Sequence, residues 1–278
     1  MPFNTFNSIA KLPKKTIIST TLQWVAVGAG GFIANSTDGN TWTPAATVTG
    51  VSGKGGITQG QGVAYGKDNL GAGLWVAVGQ GGVIAKSTDG NVWTPAATST
   101  YGNVGGLTSG YGVAYGKDNL GGNLWVAVGD GGVIAKSTDG NVWTPAATVT
   151  GVSGKGGLTS GYGVAYGKDN LGAGLWVAVG DGGLIAKSTD GNTWTPAATS
   201  ADGSKGGITD VGEGVAYGKD NLGAGLWVAV GSGGLIAKST DGNVWTSAAS
   251  SADGSKGGLT TRGYGAAFKR ILYDGVDF

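Results

Sequence analysis

Short apolar runs alternate with glycine, aspartate and asparagine clusters along most of this chain. The stretch from Gly112 to Thr148, GVAYGKDNLGGNLWVAVGDGGVIAKSTDGNVWTPAAT, shows the pattern. Runs of Val, Ile, Ala, Trp and Tyr three to five residues long are bounded by turn-forming residues, which predicts strands joined by tight turns. No segment keeps a helical period over ten residues. The predicted strands are Val113 to Tyr115, Leu124 to Val128, Val133 to Ser137 and Val142 to Thr144. The second run, LWVAVG, is apolar on both of its alternating sides, as expected of a strand covered on two faces.

The same stretch recurs. WVAVG begins at Trp24, Trp75, Trp125, Trp176 and Trp227, at spacings of 51, 50, 51 and 51 residues. STDGNxW places a second indole at Trp42, Trp93, Trp143, Trp194 and Trp245, so the ten tryptophans are five pairs 18 residues apart. GVAYGKDNLG begins at Gly62, Gly112, Gly163 and Gly214, with a degenerate copy, GAAFKR, at Gly265. Four short strands in a unit of about fifty residues match one propeller blade. The chain is therefore read as all-β, a five-bladed β-propeller of four-stranded blades. Residues 24–278 form the single propeller domain and 1–23 an N-terminal extension. All ten indoles are expected in the core between blades. The first blade has no upstream GVAYG, so the C-terminal copy at Gly265 to Phe268 is expected to fill its innermost slot and close the ring. Thr16 to Thr20 competes for that slot, and a six-bladed ring using both termini is the less favoured alternative.

Composition narrows the chemistry. The 278 residues include 60 glycines but only 6 prolines, without a collagen period. No cysteine or histidine is present, which removes thiolate nucleophiles, imidazole bases and the usual zinc ligands. With a formal charge of +1 and two arginines, Arg262 and Arg270, the chain lacks a nucleic-acid footprint. No apolar run approaches the length of a membrane span, and residues 1–20 do not read as a secretory signal. No cofactor or metal is expected. The KDN turns offer too few oxygens for calcium.

The run STDGNVWT at Ser137 to Thr144 resembles the Asp-box of sialidase-type propellers, Ser-x-Asp-x-Gly-x-Thr-Trp, with the turn one residue shorter and Asn141 after the glycine. The resemblance implies a propeller whose structural Asp-box residues are Asp38, Asp89, Asp139, Asp190 and Asp241, on the hairpin between third and fourth strands. There the aspartate accepts backbone N–H bonds, the glycine takes unusual dihedrals and the tryptophan anchors the hairpin. It says little about activity. The family's sialidases need three arginines around the substrate carboxylate, and this chain has two in all. No catalytic residue is assigned. Glu213, the one glutamate, with Asp210 is the nearest approach to a carboxylate pair and reads as a solvated loop.

Among the few positions at which the near-identical blades differ, two form recurring rings. One precedes GVAYG and holds Gln61, Tyr111, Tyr162, Glu213 and Tyr264; the other lies in the second-to-third turn and holds Ala29, Gln80, Asp130, Asp181 and Ser232. Propeller topology puts both rings at one mouth of the axis, with the long polar connections such as Val149 to Gly161. Tyrosine there can stack on a sugar while Asp or Gln takes its hydroxyls; the competing reading has the tyrosines capping the blade cores. Repetition suits weak, equal sites that add. The expected function is a non-catalytic binding or structural module with glycans or protein subunits as partners. A virion or cell-surface component is favoured, because similar repeats occur in such proteins. An intracellular assembly or scaffold propeller, located in the cytoplasm, and a glycoside hydrolase with unfamiliar carboxylates are the alternatives.

Overall fold

The computed structural model describes residues 23–46, 55–97, 106–147, 157–198, 208, 210–249, 261 and 263–266. They form nineteen strands in five antiparallel sheets that follow one another in chain order. The first sheet has three strands, β1 (Trp24–Val27), β2 (Ile33–Ser36) and β3 (Thr43–Pro44). The other four have four strands each: β4 (Gly60–Lys67) to β7 (Thr94–Pro95), β8 (Gly110–Lys117) to β11 (Thr144–Pro145), β12 (Gly161–Lys168) to β15 (Thr195–Pro196), and β16 (Gly212–Lys219) to β19 (Thr246–Ser247). This is the all-β architecture of a five-bladed propeller. In the third blade the strands are β8, β9 (Asn123–Gly129), β10 (Ile134–Ser137) and β11. The innermost strand is longer than its apolar run predicts, because the flanking glycines also pair with β9.

The blades are joined by their indoles. Trp125 and Trp143 of blade three lie in one cluster with Leu74, Val76, Val78 and Ile84 of blade two. Trp176 and Trp194 pack the same way on blade three, and Trp227 and Trp245 on blade four. An indole removes about 150–250 Å² from water, worth about 4–6 kcal/mol before ordering costs. A hydrogen bond fixes the register of the contact: Trp125 Nε1 donates to Lys67 O at 2.9 Å, Trp176 Nε1 to Lys117 O at 2.8 Å and Trp227 Nε1 to Lys168 O at 2.9 Å. Seven of the indoles are fully buried, but Trp24 is 58% and Trp42 41% exposed. The expectation that all ten are core is corrected here, and the cause is the direction of packing. Each pair lies against the preceding blade, and blade one has none before it among the described residues.

Nearest the axis the packing is backbone on backbone. A Cβ on Gly112 would stand 2.7 Å from Tyr162 O, one on Gly163 3.0 Å from Gly214 Cα, and one on Gly214 2.8 Å from Gly265 Cα. Only glycine allows that approach. Gly263 N donates to Gly231 O at 3.1 Å, as Gly60 N does to Gly28 O at 2.9 Å. Residues 263–266 thus stand after blade five as an inner strand stands after its preceding blade. They form no ladder with β1, and residues 267–268, on which the expected clasp also rests, lie outside the described residues, as do 1–22 and most of the long connections.

The STDGNxW hairpin between β10 and β11 is held by its own side chains. Ser137 Oγ donates to Asp139 Oδ1 at 2.8 Å, and the same oxygen accepts the N–H groups of Asn141 at 2.8 Å and Val142 at 2.9 Å. Gly140 has φ 71°, and Trp143 Nε1 donates to Gly140 O at 3.1 Å. The asparagine after the glycine reaches the neighbouring blade: Ala97 N donates to Asn141 O at 3.1 Å and Ala147 N to Asn192 O at 3.0 Å. Partial burial pushes the Asp89, Asp139, Asp190 and Asp241 carboxyls up, but the backbone N–H groups and the serine hydroxyl together outweigh it and hold all four below the ordinary value. Asp38 is held low chiefly by the N–H of Thr41.

Two predictions follow from this packing. Gly112→Ala lowers stability by about 1–3 kcal/mol through backbone overpacking. Gly28→Ala, whose backbone is extended at φ −164° with nothing within 4 Å of the new carbon, changes it little; thermal melts followed by circular dichroism separate the two. A carboxyl with a depressed folded value stabilises fully above the unfolded pKa of about 3.9 and loses that contribution as pH falls through the folded one. Melting temperature therefore falls below about pH 4, and Asp139→Asn, which no longer titrates, makes that acid slope shallower in melts across the same range.

Candidate functional site

The first variable ring sits on a repeated backbone irregularity. In every four-stranded blade the ladder between the first two strands slips by one residue near its start: between Gly60 and Gly62, Gly110 and Gly112, Gly161 and Gly163, and Gly212 and Gly214. The residue inside each β-bulge is Gln61, Tyr111, Tyr162 or Glu213. A bulge leaves one residue unpaired and re-aims its side chain, and glycines on both sides allow the bend. The Gly-x-Gly strings are the sequence signal for this feature, which the strand pattern alone does not reveal.

The second ring lies beside the first because the turn backbone is tied to the start of the first strand. Asp130 N donates to Ser109 O at 3.1 Å, Asp181 N to Ser160 O at 3.1 Å, and Ser232 N to Val211 O at 2.9 Å. The side chains then meet. Tyr111 Oη donates to Asp130 Oδ1 at 2.8 Å, and the Asp181 carboxylate lies near enough to Tyr162 to act on its phenol. The rings of Tyr111 and Tyr162 stack across the blade boundary with centroids 5.1 Å apart and planes 31° from parallel. Such a pair contributes about 0.5–1.5 kcal/mol beyond its buried area.

Electrostatics keep both phenols protonated. Burial, then the bond to Asp130 and its charge, push Tyr111 up to about 12. Burial and the Asp181 charge push Tyr162 up, with Glu213 and Asp130 adding to it. Both tyrosines therefore act as donors at neutral pH, and each carboxylate keeps lone pairs for a further donor. The result is a half-buried aromatic shelf edged by carboxylate acceptors.

The other members differ. Gln61 and Gln80 in blade two are exposed, as is Ala29 in blade one. In blade five Glu213 stands where Tyr111 stands in blade three, and Ser232 stands for Asp130, its Oγ enclosed without a hydrogen-bond partner among the described residues. Tyr264 follows blade five and is 74% exposed. The structure thus brings Tyr111, Tyr162, Asp130 and Asp181 into one direct cluster, with Glu213 near enough for its charge to act on Tyr162. Gln61 and Gln80 occupy the corresponding places in blade two, beside blade three.

At the other end of the strands, the KDNLG turns present Leu70, Leu120, Leu171 and Leu222, each at least 86% exposed. In each turn the aspartate folds back on its own loop, as where Asp68 Oδ1 accepts the N–H of Leu70 at 2.9 Å and of Ala72 at 2.8 Å. Among the described residues no group of three or more acidic side chains is arranged to hold a metal ion. None of their helices is long and apolar enough to cross a membrane.

No protein-family profile matches the chain, and no curated protein matches it. Solved structures do. YCF48 from Cyanidioschyzon merolae is 19% identical over 69% of this chain and 57% of its own, with a TM-score of 0.47. YCF48 bound to D1 peptide is 16% identical over 82% of this chain and 77% of its own, with a TM-score of 0.40. An ancestral GH74 enzyme is 13% identical over 82% of this chain and 31% of its own, with a TM-score of 0.51. The chain spans 57% of the first of these and 31% of the third. At such identities the likeness to the GH74 enzyme bears on the fold alone, and that fold is a β-propeller.

Proposed function

We propose that this protein is a non-catalytic recognition module that binds glycans at the mouth of the propeller axis. The observation that carries the reading is the bulge-borne pair Tyr111 and Tyr162, stacked at 5.1 Å beside the carboxylates of the adjoining turns. A flat aromatic surface accepts the apolar face of a pyranose ring, and carboxylates beside it accept its hydroxyl protons. Ligand sites of this kind combine apolar contact with a few oriented polar groups. The STDGNxW hairpins, with their internally bonded aspartates, support the resemblance to Asp-box propellers. They face the other end of the strands and take no part in binding. A place on a virion or cell surface belongs to the same reading and rests on that resemblance.

Composition supports the non-catalytic half of the proposal. Two arginines cannot supply a sialidase's three. Hydrolysis by a carboxylate pair requires two groups at a set separation with an acid held protonated. The mouth instead sets Asp130 and Asp181 against the tyrosine phenols.

A glycan-array screen followed by calorimetry on the best ligand tests the proposal. Tyr111→Ala and Tyr162→Ala each weaken binding about tenfold, ~1.4 kcal/mol, with melting temperatures lowered by only about 2–4 °C. Glu213→Gln leaves binding within a few fold. An array without signal removes the glycan reading, and turnover of a fluorogenic glycoside that disappears in Glu213→Gln removes the non-catalytic one.

A further inference from the structure

The blades differ at one more place, at the end of the strands opposite the tyrosine shelf. Where blades two, four and five have Ala-Gly (Ala72-Gly73, Ala173-Gly174, Ala224-Gly225), blade three has Gly122-Asn123. The Asn123 carboxamide bridges two blades. Its Oδ1 accepts from Tyr115 Oη at 2.6 Å and from Lys117 Nζ at 2.8 Å, and its Nδ2 donates to Asp68 O of blade two at 2.8 Å. One amide therefore satisfies a phenol, an ammonium and a backbone carbonyl at once.

The same phenol and carbonyl recur between blades four and five, where no amide stands. Gly225 replaces the asparagine, Tyr217 replaces Tyr115 and Asp169 replaces Asp68. A cleft of about 320 Å³ opens there, lined by Lys168, Asp169, Asn170, Tyr217, Gly225 and Thr240 among others. The Tyr217 ring is held in place from behind, 4.9 Å from the Trp227 ring and seated on Gly167. Burial and the charge of Asp169 push its phenol up, so it remains a donor.

We propose that this cleft binds an acetamido sugar, with the sugar's amide taking the place that the Asn123 carboxamide takes two interfaces away. The carbonyl of the acetamido group accepts from Tyr217 Oη, and its N–H donates to Asp169 O. The volume decides between an amide side chain and a sugar. A carboxamide alone fills a small part of 320 Å³, whereas small-molecule sites begin at about 300 Å³. The remaining wall offers Thr240, Asn170 and Lys168 to ring hydroxyls. A residue set of the same kind, Tyr166, Gly174 and Asp118, recurs between blades three and four. The site does not depend on the tyrosine shelf, which lies at the other end of the strands.

Saturation-transfer NMR with N-acetylglucosamine, glucose and a glutamine-containing tripeptide as probes tests the assignment on the full chain. The expected result is transfer to the acetamido methyl of N-acetylglucosamine and none to glucose. Tyr217→Phe, which keeps the ring and removes the donor, weakens the affinity about five- to tenfold. The double variant Gly174→Asn/Gly225→Asn supplies the amide from the chain itself and abolishes the signal. The measurements are made in a Tyr111→Ala/Tyr162→Ala background, which removes the shelf, so that the signal reports this cleft alone. Equal transfer to glucose, no transfer at saturating sugar, tripeptide binding as tight as the sugar's, or full binding by Tyr217→Phe would each overturn the proposal.

Discussion

Each blade of this protein covers its tryptophans with the blade before it. Trp125 reaches back to Leu74 and Val76 and to the carbonyl of Lys67, and Trp176 repeats the contact one blade on. A single four-stranded sheet has no core of its own, so stability belongs to the interfaces. That dependence explains why the repeats are nearly identical. A substitution in LWVAVG or STDGNxW alters two blades, because alternate residues of one strand face the blade before and the blade after. It also explains the exposure of Trp24 and Trp42, the indoles of the blade without a described predecessor.

Packing by indoles on the outside forces glycine on the inside. As the blades converge, the inner strands meet at Gly62, Gly112, Gly163 and Gly214 with no room for a Cβ. The bulge sits at this point of crowding, and its side chain lies outside the buried clusters between blades. The positions free to vary are therefore the ones that the crowded backbone turns outward. Tyr111 and Tyr162 are placed by the geometry that closes the gap between blades, and their contact at 5.1 Å is set by the blade spacing.

The repeat period, the strand count and the hairpin aspartates are legible in the sequence because each depends on local residue type. Val, Trp and Gly at fixed offsets name a strand or a turn without reference to anything distant. The pairing of the two variable rings is legible from topology, since a first-strand start and a second-to-third turn share an end of the sheet. The direction in which an indole packs is not, because Trp24 and Trp125 both open the string WVAVG and have different neighbours in space. The bulge is hidden for a similar reason. Gly-Tyr-Gly is consistent with a plain strand, and only the register against β9 shows that one residue is extra. The bridge built by Asn123 was present in the sequence as a break in the Ala-Gly repeat, yet its meaning depends on Asp68, 55 residues away.

Near-identity of the blades suggests equal sites around the axis, and the structure argues for something less symmetric. Packing residues repeat, while the bulge residues run Gln61, Tyr111, Tyr162, Glu213. Only the boundary between blades three and four joins two tyrosines, each with its own carboxylate. On the proposed reading, a ligand at this mouth meets one aromatic sector flanked by amides on one side and by Glu213 on the other. That gradient would fix its orientation, and avidity would come from several copies of the protein rather than from several blades of one. The scaffold is symmetric because its interfaces are interchangeable, and its mouth is asymmetric because the bulged residues are relieved of that requirement.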